Sequence, residues 1–173
     1  ATGPAMARTA GACYVTGGVV GLASHWAARY DWNGGDRSGM TWVLGVSLAA
    51  LAVGVLLALA GSRLPQWGFY AIGHASVTVL AVGVWLVRGR PEAIAIASLF
   101  VLVVMYTSFF FDWPAAALAT AHVLTAVGVA KLWWDAIPWV GVVALVGLSV
   151  LGAGITVALI RAAADADVDG LTG

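Results

Sequence analysis

The sequence predicts an all-α, polytopic integral membrane protein, a bundle of six transmembrane helices, and three observations carry that prediction. Of 173 residues, 62% are apolar and only 9% charged, whereas a soluble domain averages about 45–50% and about 25%. Six stretches reach the roughly 20 mostly apolar residues needed to cross about 30 Å of hydrocarbon at about 1.5 Å per residue. The nine tryptophans all fall at or just beyond the ends of those stretches, where an indole keeps its ring in lipid and its N–H in water. An ordinary water-soluble globule is excluded. Eight basic and eight acidic residues leave no charge excess to recommend a nucleic-acid partner. The single cysteine, Cys13, makes neither an internal disulfide nor a Cys-based zinc site.

Residues 1–160 form the membrane module. Its first span, about Gly11 to Ala28, is the least apolar and carries Ser24, His25 and Trp26 near its end. It is too glycine-rich, and too plainly followed by more membrane, to be a cleaved signal peptide. The hydrophilic stretch Asp31 to Gly39 is the longest external loop and is too short to fold as a sensor domain. The second span runs from about Thr41 to Gly61 and the third from about Trp67 to Val87. The fourth is about Glu92 to Phe111, the fifth about Pro114 to Trp134 and the sixth about Trp139 to Ile160. Pro65, Pro91, Pro114 and Pro138 stand at ends, where a missing N–H costs least. Asp112 is placed to cap the fifth helix, and Lys131, one turn before Trp133 and Trp134, to snorkel outward. Gly17 and Gly21 form a GxxxG, and Ala50, Gly54 and Ala58 repeat small residues every four positions. With so much glycine and alanine, packing within the bundle is expected of these faces rather than a dimer interface.

Six spans put both termini on one side of the membrane. That side carries Arg8, Arg63 and Arg161, the other Arg29, Arg37, Arg88, Arg90 and Lys131, so the basic residues alone would place the termini outside. The composition then changes over residues 161–173. Alanines favourable to helix carry the sixth span onward, past Arg161 and Asp165, to the closing residues Asp169-Gly170-Leu171-Thr172-Gly173. This pentapeptide resembles the D-x-L-T-G opening of GGDEF domains, the catalytic domains of diguanylate cyclases, and it stands nine residues beyond the last span. In that family the motif commonly follows a short helix leaving a membrane or sensor module.

The resemblance implies a chain that continues past Gly173 into a catalytic domain condensing two GTP, with magnesium, into cyclic di-GMP. The family's catalytic residues would all lie downstream, so no residue of this chain is expected to be catalytic. A GTP-using domain must face the cytosol of a bacterial cell, which puts Arg161 and the tail inside the inner membrane and overrules the charge tally. Two catalytic domains hold the two GTPs, so a homodimer is implied, with Arg161 and Asp165 transmitting the signal along the emerging helix.

Inside the spans no Asp, Glu or Arg falls near a helix centre, and there is no Walker loop, HExxH or strand-borne GxGxxG. The polar residues that stand out are histidines. With the termini inside, His74 and His122 are each about eight residues from the cytoplasmic ends of their spans, roughly 12 Å deep. Tyr70, Tyr106 and Thr120 fall at or near that layer. The layer reads either as a polar pocket for a small-molecule or lipid signal, in the extreme a haem with two histidine ligands, or as two neutral histidines hydrogen-bonded across helices. Three functions compete: a sensory and dimerisation module of a diguanylate cyclase, an independent small transporter or channel, and a passive membrane anchor. The transporter lacks buried ionisable residues and paired broken helices. Nothing in the sequence separates the sensor from the anchor.

Overall fold

The computed structural model describes residues 3–30 and 38–172, so the loop predicted over Asp31 to Gly39 falls largely outside the described residues. Those residues fold into helices α1 (Gly3–Tyr30), α2 (Ser38–Ala60), α3 (Gln66–Leu86), α4 (Pro91–Ser98), α5 (Phe100–Phe110), α6 (Trp113–Leu132) and α7 (Trp139–Thr172), with a 3₁₀ turn at Gly61–Arg63 after α2 and no strand. Among the described residues, five segments are long and apolar enough to cross a membrane: Met40–Arg63, Gln66–Leu86, Glu92–Phe110, Trp113–Leu132 and Trp139–Leu159. Helices of that length and composition suggest a membrane-embedded, multi-pass protein. Helix α1 is continuous over 28 residues but is not among the five, because Arg8, Thr9, Ser24 and His25 dilute its apolar run.

The fourth predicted span is two helices. Leu99 interrupts it, and the Leu99 and Leu102 amides close tight three-residue turns onto Ile96 and Leu99. Ser98 donates to the Ala95 carbonyl at 2.7 Å, the local side-chain bonding that bends helices. This broken span is the hub of the bundle: half of Glu92–Phe110 is buried, against 22–28% for the other four. Ala93, Ala97, Phe100 and Val104 have almost no exposed surface, and they pack with Val77, Val84, Val123 and Val127 from α3 and α6.

Helices α1 and α2 form the tightest pair in the bundle, antiparallel along nearly their whole length. Small residues set the approach. A methyl added to Gly11 would lie 2.7 Å from the Gly54 carbonyl, one on Gly54 would lie 2.8 Å from the Gly11 carbonyl, and one on Gly18 would lie 2.8 Å from the Ser47 carbonyl. The seam therefore runs through Gly11, Gly18 and Gly21 of α1 and Ser47 and Gly54 of α2. The GxxxG splits: Gly21 meets Ser47, while Gly17 faces Leu99.

Helix ends follow from the punctuation. Asp112 occupies the N-cap position of α6 in extended backbone, yet its side chain makes no capping bond; only its carbonyl engages, accepting from the Ala116 amide. After α6 the chain reverses at Asp135, whose φ of 47° is left-handed, and the Ala136 amide closes the turn onto Ala130 at 2.7 Å. Lys131 pairs with the Asp135 carboxylate and lies 5.3 Å from the Trp139 ring centroid. Trp26, Trp67, Trp85, Trp113, Trp133 and Trp139 are exposed near helix ends, as an interfacial belt requires. Trp42 and Trp134 are half-buried against the core, Trp32 lies outside the described residues, and Trp42 departs furthest from the belt. It turns inward, and Gly83 leaves the room its ring occupies.

Candidate functional site

Helices α3 and α6 bring the two predicted histidines into contact. His74 Nδ1 lies 2.9 Å from His122 Nδ1, and the rings meet edge to edge, nearly coplanar, with centroids 5.1 Å apart and planes 18° apart. One imidazole must donate and the other accept, so the two are in opposite tautomeric arrangements at Nδ1. His74 Nε2 is then the free end of the pair, buried with no hydrogen-bond partner among the described residues. Tyr70, one turn earlier on α3, sets its ring edge against His74 at 4.4 Å and 79°. Thr120 does not join the pair; its hydroxyl donates to the Ala116 carbonyl of its own helix at 2.9 Å.

Tyr106 belongs to the other side of α3. Phe111 lies between the two tyrosines, 5.5 Å from the Tyr70 ring and 6.0 Å from the Tyr106 ring. Tyr106 itself is 7% exposed and packs with Met6, Ala7, Ala10, Leu57, Phe69 and Phe110. Its hydroxyl is buried and has no hydrogen-bond partner among the described residues. So the predicted layer divides in two: a His74–His122–Tyr70 group facing α6, and Tyr106 facing α1. The histidine group does not fit a haem as placed. Nitrogens in direct contact at 2.9 Å leave no room for an iron between them.

Tyr106 opens onto a feature the sequence did not announce, a cavity of about 370 Å³ walled by α1, α2, α3 and the α4–α5 hub. Its polar wall is sparse. Tyr14 of α1 hydrogen-bonds Ser76 of α3, and Ser76 donates to the Ile72 carbonyl at 2.7 Å. Ser47 donates to the Val43 carbonyl at 2.6 Å. Apart from the Cys13 thiol, the remainder is aliphatic and aromatic, with no charged side chain or histidine among the lining residues. Tyr14 and Ser76 were missed because the histidines drew attention to another layer and neither residue forms a motif with its sequence neighbours. A mid-span tyrosine needs a partner in lipid, and that was the available signal.

The side chains of Arg161, Asp165, Asp169, Leu171 and Thr172, and Gly173 entirely, lie outside the described residues; the backbone of α7 is helical through Thr172. Among the described residues no group of three metal-ligating side chains comes together. Compared with family models, curated proteins and solved structures, the chain matches none.

Proposed function

We propose that this chain is the membrane-embedded regulatory and dimerisation module of a diguanylate cyclase, with its C-terminal helix leading into the cytoplasm. The carrying observation is the run Asp169-Gly170-Leu171-Thr172-Gly173 at the end of a helix that begins at Trp139 and continues without a break to Thr172. At about 1.5 Å per residue its 34 residues span about 51 Å, so some 20 Å stand beyond about 30 Å of hydrocarbon. A stiff rod of that kind carries movement from the bundle to whatever follows it. Magnesium and GTP belong to the following domain, and this chain's contribution is position.

We also take α1 as a sixth crossing. Helix α2 is long and apolar enough to span, and α1 lies antiparallel against it from the Gly3–Ser62 contact to the Gly21–Ser47 contact. A helix packed along the full length of a spanning helix shares its depth.

The test is the reading frame beyond Gly173, together with the product of the full-length protein. Leu, any residue and Asn-Arg should follow, then a GGDEF signature, and the reconstituted protein should form cyclic di-GMP from GTP and magnesium. A frame that ends near Gly173, or full-length protein that leaves GTP unchanged under every membrane condition, refutes the reading. The transporter then becomes the leading alternative.

A further inference from the structure

Helix α7 leaves one side uncovered, and that side carries a repeat. Toward the bundle, Gly141, Leu145, Ser149, Gly152 and Thr156 are buried, mainly against α5. On the opposite side Val143, Val150 and Val157 recur every seven residues, with Gly147 and Gly154 between them. The valines are 69%, 65% and 41% exposed, and a methyl built on either glycine meets nothing within 4 Å. Steps alternating four and three residues are the seam of a two-helix coiled coil. Lipid demands no such period. The rest of the exposed arc carries Leu148, Ile155 and Leu159, bulky side chains suited to acyl chains.

The same register continues past the apolar run. Counting on from Val157 by four and three reaches Arg161, Ala164, Val168 and Leu171. Val168 and Leu171 are the only apolar residues larger than alanine between residues 161 and 173, and both fall on the repeat. A register shifted by one residue meets Asp165 and Asp169 in one direction, Asp167 and Gly170 in the other. The backbone stays helical through Thr172, although aspartate and glycine are poor helix formers and a short isolated helix is marginal in water. A partner helix alongside supplies the burial this stretch lacks.

Copies inserted into a membrane by one route share an orientation, so two α7 helices meet in parallel. A two-fold axis then sets each residue of the repeat against itself. Valine meets valine and glycine meets glycine at successive levels, and the glycines let the backbones approach. Arg161, the one charged residue on the repeat, stands where the apolar run ends; a single polar position on a seam specifies its register.

We propose that α7 is a dimer seam, on which two copies of this chain pair in parallel along Val143, Gly147, Val150, Gly154 and Val157 and onward through Ala164, Val168 and Leu171. The seam deepens the dimerisation role proposed above, and rests on that reading only in preferring a second copy to the helix of another protein.

Single cysteines along α7, in a Cys13→Ala background, read the contact by oxidative cross-linking in membranes. Cysteine in place of Val143, Gly147, Val150, Gly154 or Val157 should give disulfide-linked dimer roughly five-fold more efficiently than in place of Leu148, Ile155 or Leu159. Equal cross-linking of the two sets, or no cross-linked dimer at any position, overturns the seam. Gly154→Ile gives a second measurement, because the space beside Gly154 is open within its own chain and closed by the partner in the dimer. Energy transfer between labelled copies in liposomes should show association weakened roughly ten-fold by Gly154→Ile and unchanged by Leu148→Ile. Association that Gly154→Ile leaves intact refutes the proposal. These results are separate from the cyclase reading. Full-length protein that forms cyclic di-GMP without the cross-links loses the seam alone, and a reading frame without a GGDEF signature leaves the cross-links in place.

Discussion

Two imidazoles in contact inside an apolar bundle have an asymmetric energetic role. Together His74 and His122 satisfy one nitrogen each at 2.9 Å; removing either ring leaves the other's nitrogen buried and unpaired, and removing both leaves nothing to satisfy. Interhelical hydrogen bonds in membrane proteins average about 0.6 kcal/mol. His74→Phe and His122→Phe should therefore each lower stability by about 1 kcal/mol, and the double substitution should cost clearly less than the two together. Unfolding of the four proteins of the cycle in detergent measures this directly. Strictly additive losses would mean that the rings do not interact. The depth these residues share was legible from residue counting alone. Their contact was not, because depth says nothing about the direction in which α3 and α6 turn their faces. Tyr106 shows the same limit: it occupies the predicted layer but belongs to α1's side of the bundle.

At the scale of elements, the α1–α2 seam depends on what is missing from it. Gly54 faces the Gly11 carbonyl and the Val15 backbone within 3 Å of where a methyl would stand, and backbone cannot yield as a flexible side chain would. Gly54→Val should separate the helices and cost about 1–3 kcal/mol or more by overpacking. Gly147 on α7 has open space around it, so Gly147→Ala should be neutral or stabilise by about 0.4–1 kcal/mol through the unfolded chain. A Gly54→Val protein as stable as the parent would dissolve the seam as described. Helix ends were legible because Pro65, Pro91, Pro114, Pro138 and the tryptophans punctuate them. The break at Leu99 was not legible, since neither glycine nor proline marks it, and only the Ser98 hydroxyl acts locally. Helix pairing was also hidden. With apolar residues facing both lipid and neighbours, hydrophobic periodicity does not separate the inside of such a bundle from its outside.

For the molecule as a whole, side and phase are the quantities that matter. The tail must be cytoplasmic if it joins a GTP-using domain, although three basic residues on its side face five on the other. Single cysteines at Asp167 and Asp36 in a Cys13→Ala background decide between them: an impermeant thiol reagent applied to intact cells should label position 36 and spare position 167. Labelling of 167 from outside reverses the orientation. Phase follows from α7. The bundle grips this helix mainly through α5, with Gly152 set close against Met105, and the helix then runs on to Thr172. On the proposed reading, rotation or piston movement at the grip is carried along a helix that is continuous to Thr172. One alanine inserted after Ala164 turns everything beyond it by about 100°, whereas seven nearly complete two turns and add about 10 Å of length. A module that signals through helix geometry should lose regulated cyclic di-GMP output with one inserted residue and recover much of it with seven. Output that falls steadily with each added residue would instead make distance the controlling variable. Equal output for insertions of one to seven would make α7 a tether and the bundle an anchor.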